Sequence, residues 1–432
     1  MDKSPNVSFI TLGCPMNQVD SEKMMTGLVS RGFNLSNEED ADIIIVNTCG
    51  FIESARLESV DNILSVARMK KKGKLKALVI TGCLAERYGS EIKKEFPEAD
   101  AVVCLGDEAN LPEICKNLLD FKSEETREGS KVLIGLPHTA YLKISEGCNN
   151  RCSYCAIPSI RGPFRSMDED GIIAEARDLL SFGIHEIVLI GQDTTLYGGD
   201  PTGKKLAGLI GKLADIDGID WIRLMYAHPA HFGDELLKAF SDVPKLIPYI
   251  DLPIQHISET VLKNMGRNTS PSGIRNLVAK LRDSIKDLVL RTSIMVGFPG
   301  ETDSDFSELI DFVSETRFER MGAFIYSPEE GTKAYELEGK IPQKIAEERY
   351  DIIMDIQQDI SSEFQKTLVG KEFDMILDES GPFGKTVTGR AYFDAPEIDG
   401  NILAVGKVKD DKPFQKVKIT KADKYDLKGR FI

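Results

Sequence analysis

The stretch Cys148–Cys155, with the sequence CNNRCSYC, constrains this chain most, because it places three thiols within eight residues. A cubane four-iron four-sulfur cluster needs a ligand on each iron, and bacterial ferredoxins supply four thiolates from differently spaced runs. No cysteine follows Cys155. A cluster on this loop would therefore leave one iron open to a ligand from outside the protein. A structural zinc site is the alternative, with His138 as the nearest fourth ligand.

The apolar run Tyr141–Ile144 predicts a strand that leads into this loop. The cysteines would then follow the carboxyl end of a strand, where α/β barrels carry their chemistry. With Tyr154 before the last cysteine, the CxxxCxxC spacing resembles the signature of the radical S-adenosylmethionine (SAM) superfamily. The resemblance implies that SAM binds the open iron and that an electron from the cluster cleaves SAM to a 5'-deoxyadenosyl radical.

Length and charge limit the remaining possibilities. A chain of 432 residues is long enough for two or three domains. Its net charge of -15 argues against non-specific binding of polyphosphate and favours a basic protein partner. The N-terminus has no signal-peptide pattern, and no apolar run reaches the roughly 18 residues that span a bilayer. These features predict a cytoplasmic protein without a membrane segment, in which eight cysteines suggest metal or redox chemistry before disulfides.

Residues 1–125 form the first predicted domain. Short apolar runs at 7–12, 42–47, 76–80 and 101–105 alternate with amphipathic segments. This alternation predicts a parallel sheet with crossover helices.

Three cysteines follow the first three of these predicted strands, and each has a glycine beside it. They are Cys14, Cys49 and Cys83. Ligands gather at the carboxyl ends of parallel strands, so we expect these sulfurs to meet in one crevice and to share a metal site. The alternative for any one of them is a buried, apolar packing residue. Packing is the role that we predict for Cys104 and Cys115, which occupy no equivalent position.

Residues 134–365 form the second predicted domain, after a polar stretch at 121–137. Its predicted strands cover 139–144, 186–191, 220–227, 248–252, 288–297 and 321–326, with helical patterns such as 168–182 and 302–315 between them. Six βα units predict a partial (β/α)6 barrel of TIM-barrel type, two units short of closure. Polar or glycine-rich stretches follow the strands and would form the rim of the active site.

Residues 366–432 form the third predicted domain, which follows a long helical pattern from Gln343 to about Val369. Short alternating strands predict a small antiparallel β-barrel. The predicted turns are Ser380-Gly381, Asp399-Gly400 and Asp410-Asp411.

Taken together, three cysteines in an α/β domain, a CxxxCxxC partial barrel and a small C-terminal β-barrel resemble the methylthiotransferases over the full length. The local motifs that agree are Gly147–Pro158, Arg161–Ser166, Leu252–His256 and Gly297–Thr302. The resemblance implies that the C-terminal barrel is a TRAM domain that presents the substrate.

Pro15, directly after Cys14, is typical of the branch that methylthiolates an aspartate of protein S-twelve of the small ribosomal subunit. The tRNA-modifying branch usually has glutamine at this position. Met16 departs from the lysine that is more usual in the first branch. The C-terminal domain interleaves its lysines with nearly as many carboxylates, which also disfavours a tRNA substrate.

The resemblance implies two 4Fe-4S clusters and SAM. One cluster would be held by Cys148, Cys152 and Cys155, and the other, which carries the sulfur to be installed, by Cys14, Cys49 and Cys83. One SAM would methylate that sulfur, and a second would yield the radical that abstracts a hydrogen atom from the aspartate β-carbon, which then takes up the methylthio group. The expected SAM contacts are Gly191 and Gln192 at the amino end, Ile157 and Gly297 at adenine and ribose, and Tyr154 as a shield of the cluster.

Because the cofactors do the chemistry, no catalytic side chain is expected. Arg161 and Arg165 would pair with a carboxylate of SAM or substrate, or else are solvated loop cations. His228 and His256 are expected to be buried or supporting residues. The expected partners are the basic ribosomal protein and an electron donor such as flavodoxin or ferredoxin, with the chain a monomer. The rival functions are a tRNA methylthiotransferase and a non-catalytic iron-sulfur electron carrier.

Overall fold

A computed structural model describes residues 4–122, 129, 131–381, 386–408 and 412–432. Part of the predicted polar stretch at 121–137 and the predicted turn at Asp410-Asp411 lie outside the described residues. The chain divides into two compact units, of which the first comprises Met1–Ile134 with Cys155–Pro163 and the second comprises Gly135–Tyr154 with Phe164–Ile432. Among the described residues, no helix is long and apolar enough to cross a membrane.

The first unit is built on a five-stranded parallel sheet. In chain order its strands are β1 (Asn6–Thr11), β2 (Asn34–Leu35), β3 (Ile43–Thr48), β4 (Ala77–Gly82) and β5 (Ala101–Val103). Their order across the sheet is β2-β1-β3-β4-β5. Every residue of β3 and β4 is buried, as expected where helices cover both faces of a parallel sheet. The four predicted strands are confirmed, and the two-residue β2 was not predicted.

Among the described residues, five α-helices belong to this unit. They are α1 (Pro15–Val29), α2 (Glu53–Lys71), α3 (Cys83–Glu95), α4 (Leu111–Leu118) and α5 (Ile157–Ile160). Proline at the first position of α1 has no N–H to leave unpaired, so the helix begins directly after Cys14. The helices α1, α2 and α3 begin at or shortly after the cysteines that follow β1, β3 and β4, so their first turns lie at the cysteine-bearing edge.

The second unit contains a six-stranded parallel sheet and a short hairpin. Its strands are β6 (Thr139–Lys143), β7 (Ser145–Glu146), β8 (Arg165–Ser166), β9 (Glu186–Ile190), β10 (Trp221–Leu224), β11 (Leu246–Asp251), β12 (Val289–Val296) and β13 (Arg320–Ile325). The sheet has the order β13-β12-β11-β10-β9-β6, while β7 and β8 pair separately. All six predicted strands are confirmed, and the sheet is the predicted open partial barrel.

Helices alternate with these strands, as the amphipathic patterns predicted. They are α6 (Glu169–Ser181), α7 (Lys204–Ala214), α8 (Asp234–Asp242), α9 (Glu259–Asn264), α10 (Pro271–Ser284), α11 (Asp303–Thr316) and α12 (Gln343–Leu368). A capping box at Thr302 and Asp305 marks the start of α11.

The C-terminal residues form a closed five-stranded barrel. Its strands are β14 (Glu372–Ser380), β15 (Thr386–Arg390), β16 (Ile402–Val405), β17 (Phe414–Ala422) and β18 (Leu427–Phe431). Four of its pairs are antiparallel, as predicted, whereas β16 and β18 are parallel. Side chains of β16 alternate between buried and exposed, which is the pattern of a strand with one face on a core.

A buried ionic network joins this barrel to the amino ends of the parallel strands. Glu186 accepts hydrogen bonds from Arg223 (2.8 Å) and Arg390 (2.9 Å). The second Nη of Arg390 donates to the Thr139 hydroxyl at 2.8 Å. Burial alone would raise the pKa of Glu186, but the two guanidinium groups outweigh it and lower that pKa to about 2. The barrel therefore packs against the end of the six-stranded sheet at which the parallel strands begin.

Candidate functional site

The first unit brings Cys14, Cys49 and Cys83 together at one edge of its sheet. They follow β1, β3 and β4, which are neighbours in the sheet. A Cβ added to Gly13 would lie 2.7 Å from Cys49 Cβ and 2.9 Å from Cys49 Sγ, so the loop that carries Cys14 lies against Cys49. Burial raises the pKa of the Cys83 thiol most, and Cys14 and Cys49, which lie near it, raise that pKa further. The predicted convergence of the three thiols is therefore present in the fold.

Gly82 allows this close approach on the Cys83 side. Its φ is +90°, and an added Cβ would lie 2.2 Å from Asn47 Oδ1 and 2.5 Å from the Thr48 carbonyl. A side chain here would meet both steric overlap and a disfavoured backbone conformation. The glycine therefore lets β4 turn into α3 directly against the end of β3.

Asn17 fixes the loops of this edge relative to one another. Its buried Nδ2 donates to the carbonyls of Leu12 (2.9 Å) and Thr48 (2.8 Å). In return, Asn47 Nδ2 donates to the Asn17 carbonyl at 2.9 Å. The first turn of α1 is thus tied to the ends of both β1 and β3, because each bond satisfies a polar group that would otherwise be buried alone.

Arg161 is buried in the same cluster of side chains. Its Nη1 donates to Asp20 Oδ2 at 2.8 Å, and its Nη2 donates to Asn17 Oδ1 at 2.6 Å and lies 3.3 Å from Cys83 Sγ. Only 6% of Arg161 is exposed, so it is not a solvated loop cation. Its partners among the described residues belong to the protein, and the predicted pairing with a carboxylate of SAM or substrate stays a prediction. No sequence pattern indicated this contact, because Asp20 and Arg161 are far apart in the chain.

The three-cysteine edge suits a bound cationic metal centre. Burial raises the pKa of Cys49, and it raises the pKa of Cys83 to about 12, although Arg161 opposes both shifts. Buried thiolates are stable only beside positive charge, and metal ligation deprotonates a thiol outright. Three sulfurs form an incomplete donor set for a four-iron cluster and leave one iron open.

The loop that carries Cys148 and Cys152 belongs to the second unit and is held by Ser153. The Ser153 N–H donates to the Met265 carbonyl at 2.8 Å, its hydroxyl donates to Asn264 at 2.7 Å, and its carbonyl accepts from the Ala334 N–H at 2.8 Å. Buried Arg267 lies near Cys152, with 3.9 Å between Nη1 and Sγ. Cys155, the third cysteine of the motif, is the first residue of the chain segment that belongs to the first unit.

The residues predicted to contact SAM occupy different environments. Tyr154 packs against the apolar cluster around Phe298. Ile157 begins α5 in the first unit. An added Cβ on Gly297 would lie 2.6 Å from Ala346 Cβ, so α12 packs closely against this glycine.

Gly191 and Gln192 lie at the carboxyl end of β9. An added Cβ on Gly191 would lie 2.3 Å from Ser145 Oγ. Gln192 donates to Glu146 Oε1 at 3.3 Å. The Ser145 hydroxyl and the side-chain amide oxygen Oε1 of Gln192 are buried, and neither has a hydrogen-bond partner among the described residues. Such unpaired polar atoms fit a polar ligand at this edge, as the amino end of SAM would be.

Asp193, His231 and Asn150 form a cluster that no sequence motif indicated. Asp193 accepts hydrogen bonds from His231 (2.8 Å) and Asn150 (2.7 Å) through one oxygen and from Thr195 (2.6 Å) through the other. Burial would raise the pKa of Asp193, but the hydrogen bonds from His231 and Thr195, together with the neighbouring His228, hold it below its usual value. Asn150 lies between Cys148 and Cys152, so the cluster anchors the cysteine loop to the end of β9.

Two histidines on the rim are buried, as expected. Burial and the nearby Arg267 lower the pKa of His228 to about 3, and its Nδ1 accepts from the Ala230 N–H at 3.2 Å. Burial lowers the pKa of His256 to about 4. Both rings are therefore neutral near pH 7 and support the surrounding backbone.

Comparison with protein families divides the chain into three matched regions. Residues 142–313 match the family described as "Radical SAM superfamily", residues 6–104 match "Uncharacterized protein family UPF0004", and residues 369–432 match "TRAM domain". Among solved structures, the radical SAM methyltransferase TsrM of Kitasatospora setae has a similar fold, with a TM-score of 0.58 at 14% identity over 83% of this chain and 89% of that one. The fold is that of a radical SAM protein with a TRAM barrel.

Relatives with known names match almost the whole chain. The protein named "Ribosomal protein uS12 methylthiotransferase RimO" from Desulforamulus reducens is 45% identical, over 98% of this chain and 99% of that one. The protein of the same name from Thermosipho africanus is 46% identical, over 98% of both chains. The chain therefore belongs to the RimO family of radical SAM methylthiotransferases, which confirms the resemblance that its motifs indicated.

Proposed function

We propose that this protein adds a methylthio group to the β-carbon of an aspartate in ribosomal protein uS12. The observation that carries the proposal is full-length similarity to proteins of that name, combined with the convergence of three cysteines outside the CxxxCxxC loop. A radical SAM enzyme with one cluster site would lack a place for the sulfur that is transferred. A second incomplete set of thiols supplies that place.

The ligand assignments belong to the proposal. One 4Fe-4S cluster is assigned to Cys148, Cys152 and Cys155, and the other to Cys14, Cys49 and Cys83. When bound, SAM and the two clusters supply the radical that activates the C–H bond and the sulfur that is inserted. The proposed SAM contacts are Tyr154, Ile157, Gly191, Gln192 and Gly297.

The side chains of the protein hold these groups in position and do not take part in acid–base steps. Ser153 and Asn150 fix the loop of the first cluster from two sides. The unpaired oxygens of Ser145 and Gln192 are the polar atoms that we assign to the amino end of SAM. Asn17 holds the loops of the second cluster. Preorganisation of this kind is the main contribution of a protein whose cofactor does the chemistry.

The acidic chain, with a net charge of -15, is suited to a basic ribosomal protein. We further propose that it acts as a monomer in the cytoplasm, where uS12 is made, and that a flavodoxin or ferredoxin supplies its electrons. Complementary charge would speed the encounter with uS12 and would make it sensitive to salt.

Mass spectrometry of small-subunit proteins tests the substrate. Cells that lack this chain should lose the mass increment of one methylthio group on one aspartate of uS12, and the intact gene should restore it. A gene with Cys49→Ala is the matched control and should not restore it. Unchanged uS12 together with loss of a methylthio group from tRNA would contradict the proposal and favour the tRNA-modifying function.

A further inference from the structure

Arg161 places a permanent positive charge beside one of the proposed cluster ligands. Only 6% of this residue is exposed, and its Nη2 lies 3.3 Å from Cys83 Sγ. A guanidinium has five N–H donors in a rigid plane and is not deprotonated in proteins. Asp20 and Asn17 accept hydrogen bonds from it at 2.8 and 2.6 Å, so its orientation toward the sulfur is fixed.

The surroundings show that this contact is built into the fold. Asp20 is itself only 6% exposed, and Asn17 is fully buried. A charged pair out of water costs free energy unless its geometry and hydrogen bonds are good. Asn17 also holds the loops of the three-cysteine edge, so the guanidinium and the Cys83 sulfur are attached to the same rigid frame.

We infer that Arg161 is a positioning residue that raises the reduction potential of the cluster held by Cys14, Cys49 and Cys83. The inference rests on the proposed function, because it requires that these cysteines hold a cluster. Reduction adds negative charge to a cluster, and hydrogen bonds and positive charge near its sulfurs stabilise the reduced state. Asp20 opposes this effect with its own charge while it orients the guanidinium.

The potential can be measured on a full-length chain that keeps only this cluster. Cys148, Cys152 and Cys155 are replaced by alanine, the protein is reconstituted without oxygen, and the cluster is titrated with its EPR signal as the readout. The variants are Arg161→Gln, Arg161→Lys and Asp20→Asn. The control is Arg177→Gln, which removes the same charge from an exposed position on α6.

Arg161→Gln should shift the midpoint potential to a more negative value, and Arg161→Lys should retain most of the original potential. Asp20→Asn should shift it to a more positive value, and Arg177→Gln should leave it unchanged. Opposite shifts on removal of opposite charges distinguish an electrostatic role from loosened packing, which would affect both variants alike.

An unchanged potential in Arg161→Gln with full iron content would overturn the inference. A negative shift or no shift in Asp20→Asn would do the same. If Arg161→Gln does not load iron, Asp20→Asn decides alone, since only a positive shift then supports the inference. If the parent chain with Cys14, Cys49 and Cys83 intact forms no cluster, the proposed function fails. That result differs from a cluster that forms but whose reduction potential does not change when Arg161 is replaced.

Discussion

Cys148, Cys152 and Cys155 lie within eight consecutive residues, whereas Cys14, Cys49 and Cys83 reach one edge only because β1, β3 and β4 are adjacent in a parallel sheet. The first trio is set by local spacing and by the anchors of one loop. The second depends on strand order and on glycines that let three loops meet. Similar ligand sets can therefore be built by short-range spacing or by long-range topology. The two kinds of site should respond differently to substitutions of the residues around them.

The largest expected effect comes from removal of one trio at a time. Replacement of either trio by alanine should reduce the iron content from about eight to about four atoms per chain. The first replacement removes Cys14, Cys49 and Cys83, and the second removes Cys148, Cys152 and Cys155. Only the second replacement should abolish 5'-deoxyadenosine formation, while both should abolish methylthio transfer. Iron and sulfide analysis with product chromatography checks this. A chain that keeps about eight iron atoms after replacement of Cys14, Cys49 and Cys83 would show that these cysteines do not hold a second cluster.

A substitution at Gly82 tests whether the site of Cys14, Cys49 and Cys83 requires the backbones of β3 and β4 to approach each other closely. Gly82→Ala should lower the free energy of unfolding by about 3 kcal/mol, because an added Cβ meets Asn47 and Thr48 at a disfavoured φ. Gly106→Ala is the matched control, since its φ is +94° but no atom lies within 4 Å of an added Cβ. It should cost only about 1 kcal/mol.

Denaturant unfolding of the protein without metal measures both glycine variants. Iron in the cluster of Cys14, Cys49 and Cys83 should fall in Gly82→Ala and remain in Gly106→Ala. Equal losses of stability in the two variants would mean that the φ angle alone, and not the approach of β4 to β3, accounts for the glycine.

Much of this organisation was predictable from the sequence, for physical reasons that differ between elements. The buried runs of β3 and β4 identify parallel strands, and the glycines beside Cys49 and Cys83 mark the strand ends. The contacts of Arg161 with Asp20 and Cys83 were not predictable, because no periodicity connects residues so far apart in the chain. His231 was missed for a related reason, since its partner Asp193 lies on another strand's loop.

The role predicted for Gly297 shows a further limit of sequence patterns. A glycine after a barrel strand suggests a ligand that approaches the backbone. In the fold, the nearest atom to an added Cβ is Ala346 Cβ on α12. Glycine patterns indicate that something approaches closely, and one such neighbour of Gly297 is α12. The predicted contact of the Gly297 backbone with SAM stays a prediction.

Ser153→Ala tests whether the site of Cys148, Cys152 and Cys155 also depends on contacts with residues that are distant in the sequence. The variant loses the hydrogen bond to the Asn264 carbonyl and should destabilise the loop by about 1 kcal/mol. Iron bound by Cys148, Cys152 and Cys155 should become easier to remove with a chelator, while the other cluster should be unaffected. Ser159→Ala, which loses a bond to Ala156 only three residues away, is the control and should release iron at the rate of the unmodified protein.

The smallest effect on metal is expected at Cys115, a thiol of the first unit that follows no strand end. It is fully buried in α4 among apolar side chains, and burial raises its pKa to about 12. Cys115→Ala should cost about 1 kcal/mol of unfolding free energy through lost packing and should leave iron content and activity unchanged. Cys49 is comparably buried, yet Cys49→Ala should remove a cluster. Burial therefore does not distinguish a metal-binding cysteine from a packing cysteine, whereas position after a strand end does. A loss of iron in Cys115→Ala would contradict this second criterion.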